Sequence, residues 1–310
     1  MLKKMGIYRG VNLGGWLSQC DYSDERLNCF IQEDDIKKIA SWGLDHIRIP
    51  VDYNVLDDGR GYEKLDWAVE MCRKYQLKMV LDLHKTAGFS FDSNHGEAGF
   101  FDSETYQQRF YQLWENLARR YGQLTDLVVF ELLNEVTEQR FIDAWNRISN
   151  EAIGKIRAIA PDILILVGSY WNNSAASVKD LSAPQDEKVL YNFHCYDPMP
   201  FTHQGAPWVK EMDPAFRLSF EDSGVNEQQF EDLFASALEA AQKHHTTLYC
   251  GEYGVIDRAT PEDTVKWLKA ISAVFNRHGI ARALWSYKEM DFGISDERMD
   301  SVRDEMIKYL

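Results

Sequence analysis

Two glutamates, Glu135 and Glu252, are the residues whose type and position best fit a chemical role. Each closes a short apolar segment, "FELLNE" at 130–135 and "LYCGE" at 248–252. Two facing carboxyl groups can cleave a glycosidic bond, because one protonates the leaving oxygen while the other attacks the anomeric carbon or orients a water. A separation of roughly 5–5.5 Å indicates retention of configuration and roughly 6.5–9.5 Å indicates inversion. The sequence does not give this distance.

A third glutamate, Glu131, lies within the same segment as Glu135. We expect Glu131 to be architectural and to pair with a lysine or arginine. A glutamate at the end of a strand is often only an ion-pair partner or a residue that favours a helix N-terminus. Glu135 alone therefore supports no function, and the hypothesis depends on the pair with Glu252.

Eight short apolar segments are predicted to be β-strands. They read as nearly continuous apolar runs, as strands buried on both faces do, and they alternate with longer segments of helical period. Eight such units predict a closed (β/α)8 TIM barrel, with residues 1–310 forming a single domain. The predicted strands are 8–13, 45–50, 78–84, 127–133, 163–168, 189–196, 248–254 and 281–287.

The segments between the strands predict helices and two long loops. Residues 102–121 and 140–160 each place apolar side chains on one face. Thr260 and Pro261 begin a helix that Gly279 ends. Residues 85–101 follow strand three, and residues 197–225 follow strand six and exceed an ordinary βα connection. Both should lie at the C-terminal face, where barrel active sites are built.

Polar residues at the carboxyl ends of the strands should converge on that face. Each has a structural alternative: Arg48 could be a buried clamp, the histidines could simply fill the barrel mouth, and Trp285 could be core. A metal site is not predicted, because neither "DLHK" nor "FHCY" contains the clustered ligands that it needs. The converging residues are Arg48, Asp82, His84, Asn134, Glu135, His194, Tyr196, Glu252 and Trp285.

Composition limits the partners. The chain has 34 basic and 49 acidic side chains and a net charge of −15, which disfavours nucleic acid and anionic membranes. Aromatic residues make up 13%, with nine tryptophans, and indole rings suit the flat faces of sugars. No apolar run is long enough to span a membrane. We expect a monomer.

The cysteines and the N-terminus leave the compartment open. Five cysteines without a CxxC pair argue against a disulfide framework and a structural zinc site. The first 16 residues have no apolar core typical of a signal peptide. The protein could be cytoplasmic, or secreted with its signal removed.

Seven motifs in order resemble glycoside hydrolase family 5, the large clan-A cellulase family, over nearly the whole chain. They are "RGVNLGGWL", "HIRIP", "VLDLH", "FELLNE", "YNFHCYDP", "LYCGEYGV" and "LWSYK". The stretch "FTHQGAPW" after strand six further resembles compact bacterial endoglucanases with a small subdomain inserted there, which implies such a subdomain within residues 197–225. The resemblance implies a retaining enzyme that works through a covalent glycosyl-enzyme, without cofactor or metal.

The resemblance also implies roles for the two glutamates and their supports. Glu135 corresponds to the general acid/base and Glu252 to the nucleophile. Arg48 and Tyr196 would hold Glu252 ionised and aligned, which suits a cation and a hydrogen-bond donor. The pKa of Glu135 should be raised by ionised Glu252 and fall once Glu252 is esterified.

Other residues would contact the sugar in the −1 subsite. Asn134 would bind its 2-hydroxyl group, His84 and His194 would line the subsite, and Trp285 would form its floor. Relatives often carry a second histidine after the one at the end of strand three, where this chain has Lys85. That difference affects outer sugar contacts rather than the chemistry.

Outer sugar contacts and specificity are less constrained. Further candidates for contact with the glycan are Asn12, Trp16, Trp171, Asn172, Asn173, Asp197 and Trp208. We expect a retaining endo-β-1,4-glucanase acting on cellulose-like or mixed-linkage β-glucan polysaccharide or oligosaccharide. The alternatives are a β-mannanase, an exo-1,3-β-glucanase or a xyloglucanase on the same barrel, or a carbohydrate-binding barrel that has lost catalysis.

Overall fold

Eight parallel strands close into a barrel in sequence order in the computed structural model, which describes residues 1–92 and 97–310. The predicted (β/α)8 barrel is therefore confirmed. The strands are β1 (Arg9–Asn12), β2 (His46–Asp52), β3 (Lys78–Lys85), β4 (Val128–Glu131), β5 (Leu164–Val167), β6 (Val189–Cys195), β7 (Leu248–Tyr253) and β8 (Ala281–Leu284).

Strand ends differ from the predicted ones because the chain leaves the regular ladder near the cleft. Strand β4 ends at Glu131 rather than 133, and β8 ends at Leu284 rather than 287. Isolated backbone hydrogen bonds continue past these ends, such as the one from Asn134 N to Leu83 O at 3.0 Å. Strand β2 instead runs on to Asp52, so Arg48 lies inside it and not at its end.

Thirteen α-helices occur among the described residues. They are α1 (Leu2–Met5), α2 (Asp24–Cys29), α3 (Glu33–Ser41), α4 (Tyr53–Asp57), α5 (Arg60–Tyr75), α6 (Glu104–Tyr121), α7 (Ile142–Ile159), α8 (Tyr170–Asn173), α9 (Met199–Thr202), α10 (Phe220–Ser223), α11 (Glu227–Lys243), α12 (Pro261–His278) and α13 (Arg303–Met306).

The predicted helix boundaries are largely confirmed. The hydroxyl group of Thr260 accepts a hydrogen bond from the backbone of Asp263, and Gly279 ends α12 in a left-handed conformation. Helix α6 begins after Ser103, whose side chain caps it. Helix α7 begins at Ile142, after a 3₁₀ turn at Gln139–Phe141. No helix in the described part of the chain is long and apolar enough to cross a membrane.

The interior of the barrel changes from apolar to polar along the strands. Its lower layer contains Val80, Val129 and Leu190. Because side chains alternate between faces, the residues two positions later also point inward. These are Asp82, Glu131 and Asn192, all fully buried. The barrel therefore has a polar layer directly below its C-terminal face, while a larger apolar core lies between the strands and the helices.

The segment after β6 is folded onto the C-terminal face. The side-chain amide of Gln204 donates a hydrogen bond to Leu218 O and accepts one from Leu218 N. This pair of hydrogen bonds joins two distant positions of the segment. Ile256 N donates to Thr202 O at 2.9 Å, which attaches it to the loop after β7. That 197–225 forms a subdomain, and that 1–310 is a single domain, stay predictions. The predicted loop 85–101 lies partly outside the described residues.

Candidate active site

A β-bulge at Gly251 turns Glu252 into the barrel. Between β6 and β7, Phe193 pairs with Cys250 and His194 pairs with Glu252, so Gly251 has no opposite residue. Without this extra residue, regular alternation would place Glu252 on the helix-facing side. A Cβ atom at Gly251 would lie 2.8 Å from Asn192 Oδ1 and 3.0 Å from His194 Nε2, so the bulge requires glycine.

The Glu252 carboxylate is held by one cation and one phenol. Arg48 Nη1 donates to Oε1 at 2.8 Å, and the Tyr196 hydroxyl group donates to Oε2 at 2.8 Å. Burial, followed by the charge of Glu252, raises the pKa of Tyr196 well above its usual range, so the phenol remains a donor. The guanidinium group of Arg48 thus places a positive charge directly beside the Glu252 carboxyl group.

Arg48 is fully buried and also bonds several residues of the polar layer. Its Nε and Nη2 atoms donate to the two oxygens of Glu131, each at 2.7 Å. The expected pairing of Glu131 with a basic residue is thus confirmed. Burial alone would lower the pKa of Arg48, but Asp82, Glu131 and Glu252 hold it well above its ordinary value. The guanidinium group therefore stays charged.

Asn192, which the sequence analysis missed, and Asp82, which it named only among the converging residues, complete this layer. Asn192 donates to Glu131 Oε1 at 2.7 Å, and its Oδ1 accepts from Gly251 N at 2.9 Å. Asp82 lies 3.1 Å from Arg48 Nη2, and burial raises its pKa to about 8. The spacing of Asn192, His194 and Tyr196 at every second position was the signal that could have identified Asn192.

Glu135 reaches the cleft after β4 has ended. Leu133 packs in the core between the strands and the helices. The next residue, Asn134, faces the barrel interior, where its Oδ1 accepts a hydrogen bond from Arg48 Nη2 at 2.9 Å. The inward and outward alternation of side chains along β4 therefore does not continue to these residues. Glu135 itself has a left-handed backbone with φ 40°. Non-glycine residues adopt this conformation rarely, and it often marks functional sites.

The Glu135 carboxyl group is held by two donors without a formal charge. His194 Nδ1 lies 2.8 Å from Oε1, and Asn172 Nδ2 donates to Oε2 at 3.0 Å. Burial raises the pKa of Glu135, and the Asn172 hydrogen bond and, to a smaller extent, the positive charge of Arg48 lower it in part. The sequence had attributed the raised pKa to Glu252, but burial is the main cause.

Both histidines of the cleft are neutral at physiological pH. Burial lowers the pKa of His194 to about 4 and also lowers that of His84. His84 Nδ1 lies 2.7 Å from Asp82 Oδ2, and its ring stacks on Trp285 at 5.8 Å and 3°. Within 1–92 and 97–310, its Nε2 atom has no hydrogen-bond partner, which leaves this nitrogen available to a ligand.

The two carboxyl groups approach each other closely. One oxygen of Glu135, one oxygen of Glu252 and a ring nitrogen of His194 lie within 4.8 Å of one another. Distance alone would let these three atoms hold a cation. However, both oxygens of each glutamate already accept a hydrogen bond from a protein donor. The absence of a metal stays a prediction.

Side chains near the carboxyl pair could contact a sugar. Asn134 Nδ2 has no partner among the described residues, so it can donate to a hydroxyl group. Trp171 and Trp208 are 53% and 50% exposed. Asn12 is buried and donates to backbone oxygens, including Gly251 O at 2.9 Å, while its Oδ1 accepts from Arg48. Asn12 therefore supports the polar layer.

Trp16 is a correction to the sequence analysis. It was expected to contact the glycan, but its side chain is only 1% exposed. The indole N–H group donates to Leu27 O at 3.0 Å, and the ring packs edge-on against Trp67. A ring enclosed in this way cannot stack on a sugar, so Trp16 belongs to the core.

Comparison with known proteins finds related sequences over most of the chain. Residues 9–291 match the family model of cellulases, glycosyl hydrolase family 5. The chain is 59% identical over 288 residues to Cellodextrinase A of Ruminococcus flavefaciens, covering 91% of this chain and 86% of that protein. It is 34% identical over 334 aligned residues to Endoglucanase C of Acetivibrio thermocellus, covering 97% of each.

Solved structures share the barrel. The Clostridial cellulose synthase subunit Z of Clostridioides difficile superposes with a TM-score of 0.82 at 25% identity, covering 98% of this chain and 99% of that one. Thermotoga maritima Cel5A, in complex with mannotriose, gives 0.80 at 22% identity, covering 99% and 98%, and shows the fold alone. The family match over most of the chain establishes that this protein belongs to glycosyl hydrolase family 5.

Proposed function

We propose that the protein is a retaining endo-β-1,4-glucanase that hydrolyses cellulose-like or mixed-linkage β-glucan by double displacement. The observation that carries the proposal is the approach of Glu135 and Glu252 to within 4.8 Å. Retaining glycosidases place their carboxyl groups roughly 5–5.5 Å apart, whereas inverting enzymes leave room for a water between them. The inverting separation, roughly 6.5–9.5 Å, is larger than this approach.

In the first step, Glu252 attacks the anomeric carbon while Glu135 protonates the leaving oxygen. Glu252 suits the nucleophile because Arg48 places a positive charge beside it and, together with Tyr196, fixes both of its oxygens. Glu135 suits the acid because burial raises its pKa, so that more of it is protonated near neutral pH. The C–O bond to the leaving sugar breaks as the glycosyl ester forms.

In the second step, Glu135 acts as a base. It takes a proton from a water that attacks the anomeric carbon, and Glu252 leaves as a carboxylate. The unpartnered Asn134 Nδ2 would donate to the sugar 2-hydroxyl group. His84 Nε2 and the face of Trp285 would line the −1 subsite. Trp171 and Trp208 would serve sugars further along the cleft.

Removal of the nucleophile tests the proposal. Glu252→Gln should lower the release of reducing sugar from carboxymethyl-cellulose and barley β-glucan by on the order of 10⁴-fold. Glu138→Gln is the matched control, because Glu138 is an exposed glutamate on the loop that follows Glu135. Circular dichroism should show both variants folded. Undiminished activity in Glu252→Gln would refute the proposal.

A second candidate is preferential cleavage of short cello-oligosaccharides, which the name of the 59% identical relative favours. The products decide between the two. An endo enzyme should lower the viscosity of carboxymethyl-cellulose early and release mixed oligosaccharides. An enzyme for short chains should cleave cellotetraose quickly and leave viscosity almost unchanged.

The remaining alternatives give different outcomes in the same assays. A β-mannanase, a xyloglucanase or an exo-1,3-β-glucanase would cleave mannan, xyloglucan or laminarin faster than β-1,4-glucan. A purely carbohydrate-binding barrel would bind cellotetraose in calorimetry but leave a chromogenic cellobioside intact. A metal-dependent hydrolase would lose activity in EDTA, whereas we expect the activity to persist.

A further inference from the structure

The turn after β5 has an uncommon backbone. Trp171, Asn172 and Asn173 are consecutive residues with φ values of 49°, 54° and 57°. Each left-handed non-glycine residue costs roughly 1–2 kcal/mol, and asparagine tolerates the conformation better than tryptophan. Three in a row persist only where surrounding contacts impose them. The contacts of this turn therefore indicate its role.

Asn172 is bonded to the segment that carries Glu135 in two places. Its backbone N–H group donates to Val136 O at 3.0 Å. Its side-chain Nδ2 atom donates to Glu135 Oε2, also at 3.0 Å. The first bond fixes the distance between the two loops, and the second then fixes the plane of the carboxyl group. One residue thus holds both the backbone and the side chain of the acid/base segment.

Asn173 provides an indirect contact with the same carboxyl group. Its Nδ2 atom lies 3.4 Å from His194 Nε2, and His194 Nδ1 lies 2.8 Å from Glu135 Oε1. Ser174 adds a backbone bridge to His194. Both oxygens of Glu135 are therefore fixed from this turn, Oε2 directly and Oε1 through the histidine.

We propose that Asn172 is a positioning residue for the general acid/base, with its side-chain amide committed to Glu135 Oε2 rather than to the glycan. This inference rests on the proposed function and assigns Asn172 a role different from the sugar contact expected from the sequence. The left-handed turn delivers the amide to Oε2, the oxygen that His194 does not contact, so each oxygen of the carboxyl group has its own partner. Proton transfer then occurs in a fixed orientation.

Removal of the Asn172 amide should shift the pH dependence of kcat/KM in one direction. An amide that donates to Oε2 stabilises the carboxylate, so its removal raises the pKa of Glu135. The first step needs protonated Glu135, and the alkaline limb of kcat/KM should therefore move to higher pH in the variant. The carboxyl group is also less well oriented, so proton donation becomes less effective. Only substrates whose leaving group needs a proton should respond.

Two cellobiosides separate this role from sugar binding. Phenyl β-cellobioside needs acid assistance, whereas 2,4-dinitrophenyl β-cellobioside does not. For Asn172→Gly, we expect kcat/KM on the phenyl substrate to fall about ten-fold, the scale of a hydrogen bond to a charged group. On the dinitrophenyl substrate we expect less than a two-fold change. Glycine keeps the left-handed backbone without strain, so the variant removes only the amide.

Two further variants complete the design. Asn172→Ala adds backbone strain and should show the same leaving-group dependence with a lower melting temperature. Gln76→Gly is the matched control, because Gln76 is a left-handed, exposed residue that ends α5 far from the cleft. Its kcat/KM should equal that of the wild type on both substrates.

The outcomes are distinct. An equal loss on both substrates, or a KM increase without a shift of the alkaline limb, would overturn the positioning role and indicate a sugar contact. An Asn172→Gly variant with wild-type kinetics would overturn it as well. If instead the wild type cleaves neither cellobioside, or Glu252→Gln cleaves both, the proposed function itself fails.

Discussion

The two carboxyl groups of the cleft are buried to nearly the same degree but have partners of different charge. Glu252 is 5% exposed and Glu135 is 8% exposed. Glu252 accepts from a guanidinium group and a phenol, whereas Glu135 accepts from an amide and contacts a neutral imidazole. A cation therefore lies beside only one of the two buried carboxyl groups.

The difference in partners fits the opposite tasks proposed for the two glutamates. The cation beside Glu252 is one of the most enclosed groups of the molecule, bonded to Glu131 and Asn12 as well. Glu135 has no cation within hydrogen-bond distance among the described residues. The difference therefore lies in Arg48 on one side and in the neutral pair Asn172 and His194 on the other.

Replacement of Arg48 should have the largest effect. Arg48→Met leaves Glu131 and Glu252 buried without their cation, which should destabilise the fold by about 3–5 kcal/mol. It should also abolish hydrolysis of every cellobioside, because Glu252, the proposed nucleophile, loses both its neighbouring cation and the hydrogen bond that fixes Oε1. Denaturant unfolding and kinetics measure the two effects.

The matched control for Arg48→Met is Arg119→Met, which removes an exposed i,i+4 pair with Glu115. It should change the free energy of unfolding by no more than about 0.5 kcal/mol and leave kinetics unaltered. An Arg48→Met variant as stable and as active as this control would show that the charge difference between the two carboxyl groups has no consequence.

Removal of Glu135 should have the next largest effect, and it should depend on the leaving group. Glu135→Ala should lower kcat/KM on phenyl β-cellobioside by about 10²–10⁴-fold, the usual contribution of general acid catalysis. The loss on 2,4-dinitrophenyl β-cellobioside should be much smaller, because that leaving group departs without a proton. Added azide should accelerate the second step by replacing the activated water. A loss of equal size on both substrates would assign Glu135 a role other than acid catalysis.

Tyr196→Phe tests the neutral donor on the nucleophile side. The variant removes the 2.8 Å bond to Glu252 Oε2 but keeps the aromatic packing against His203 and Phe292. We expect kcat/KM to fall about ten-fold on both cellobiosides, because nucleophilic attack is needed whatever the leaving group. A loss confined to the phenyl substrate would instead place Tyr196 on the acid/base side.

The barrel could be predicted from the sequence because eight apolar segments alternate with segments of helical period. Its polar layer could have been recognised from the alternation of side chains along the strands. Val80 and Asp82, like Leu190 and Asn192, lie on the same face of their strands, so an apolar layer followed by a polar one is readable from spacing. The family motifs then select Glu135 and Glu252 within that frame.

The orientation of the two glutamates could not be predicted, because both depend on departures from regular strands. The bulge at Gly251 turns Glu252 inward, and a left-handed residue beyond the end of β4 turns Glu135. Trp16 was misassigned for a related reason. It follows β1 at the C-terminal face, but the chain there folds back so that its indole group bonds Leu27. Local backbone geometry of this kind depends on tertiary contacts distant in sequence.

The smallest effect expected is the influence of one carboxyl group on the other. A 2-deoxy-2-fluoro cellobioside should trap Glu252 as an ester and remove its negative charge, which lies within 4.8 Å of the Glu135 carboxyl group. Because a neighbouring like charge disfavours ionisation, its removal should lower the pKa of Glu135, while burial continues to raise it. A ¹³C NMR titration of the carboxyl carbons before and after trapping measures the change, and Glu135→Gln identifies the signal. A pKa that does not move on trapping would show that burial and neutral donors alone set the protonation of Glu135, so that the two carboxyl groups, though adjacent, titrate independently.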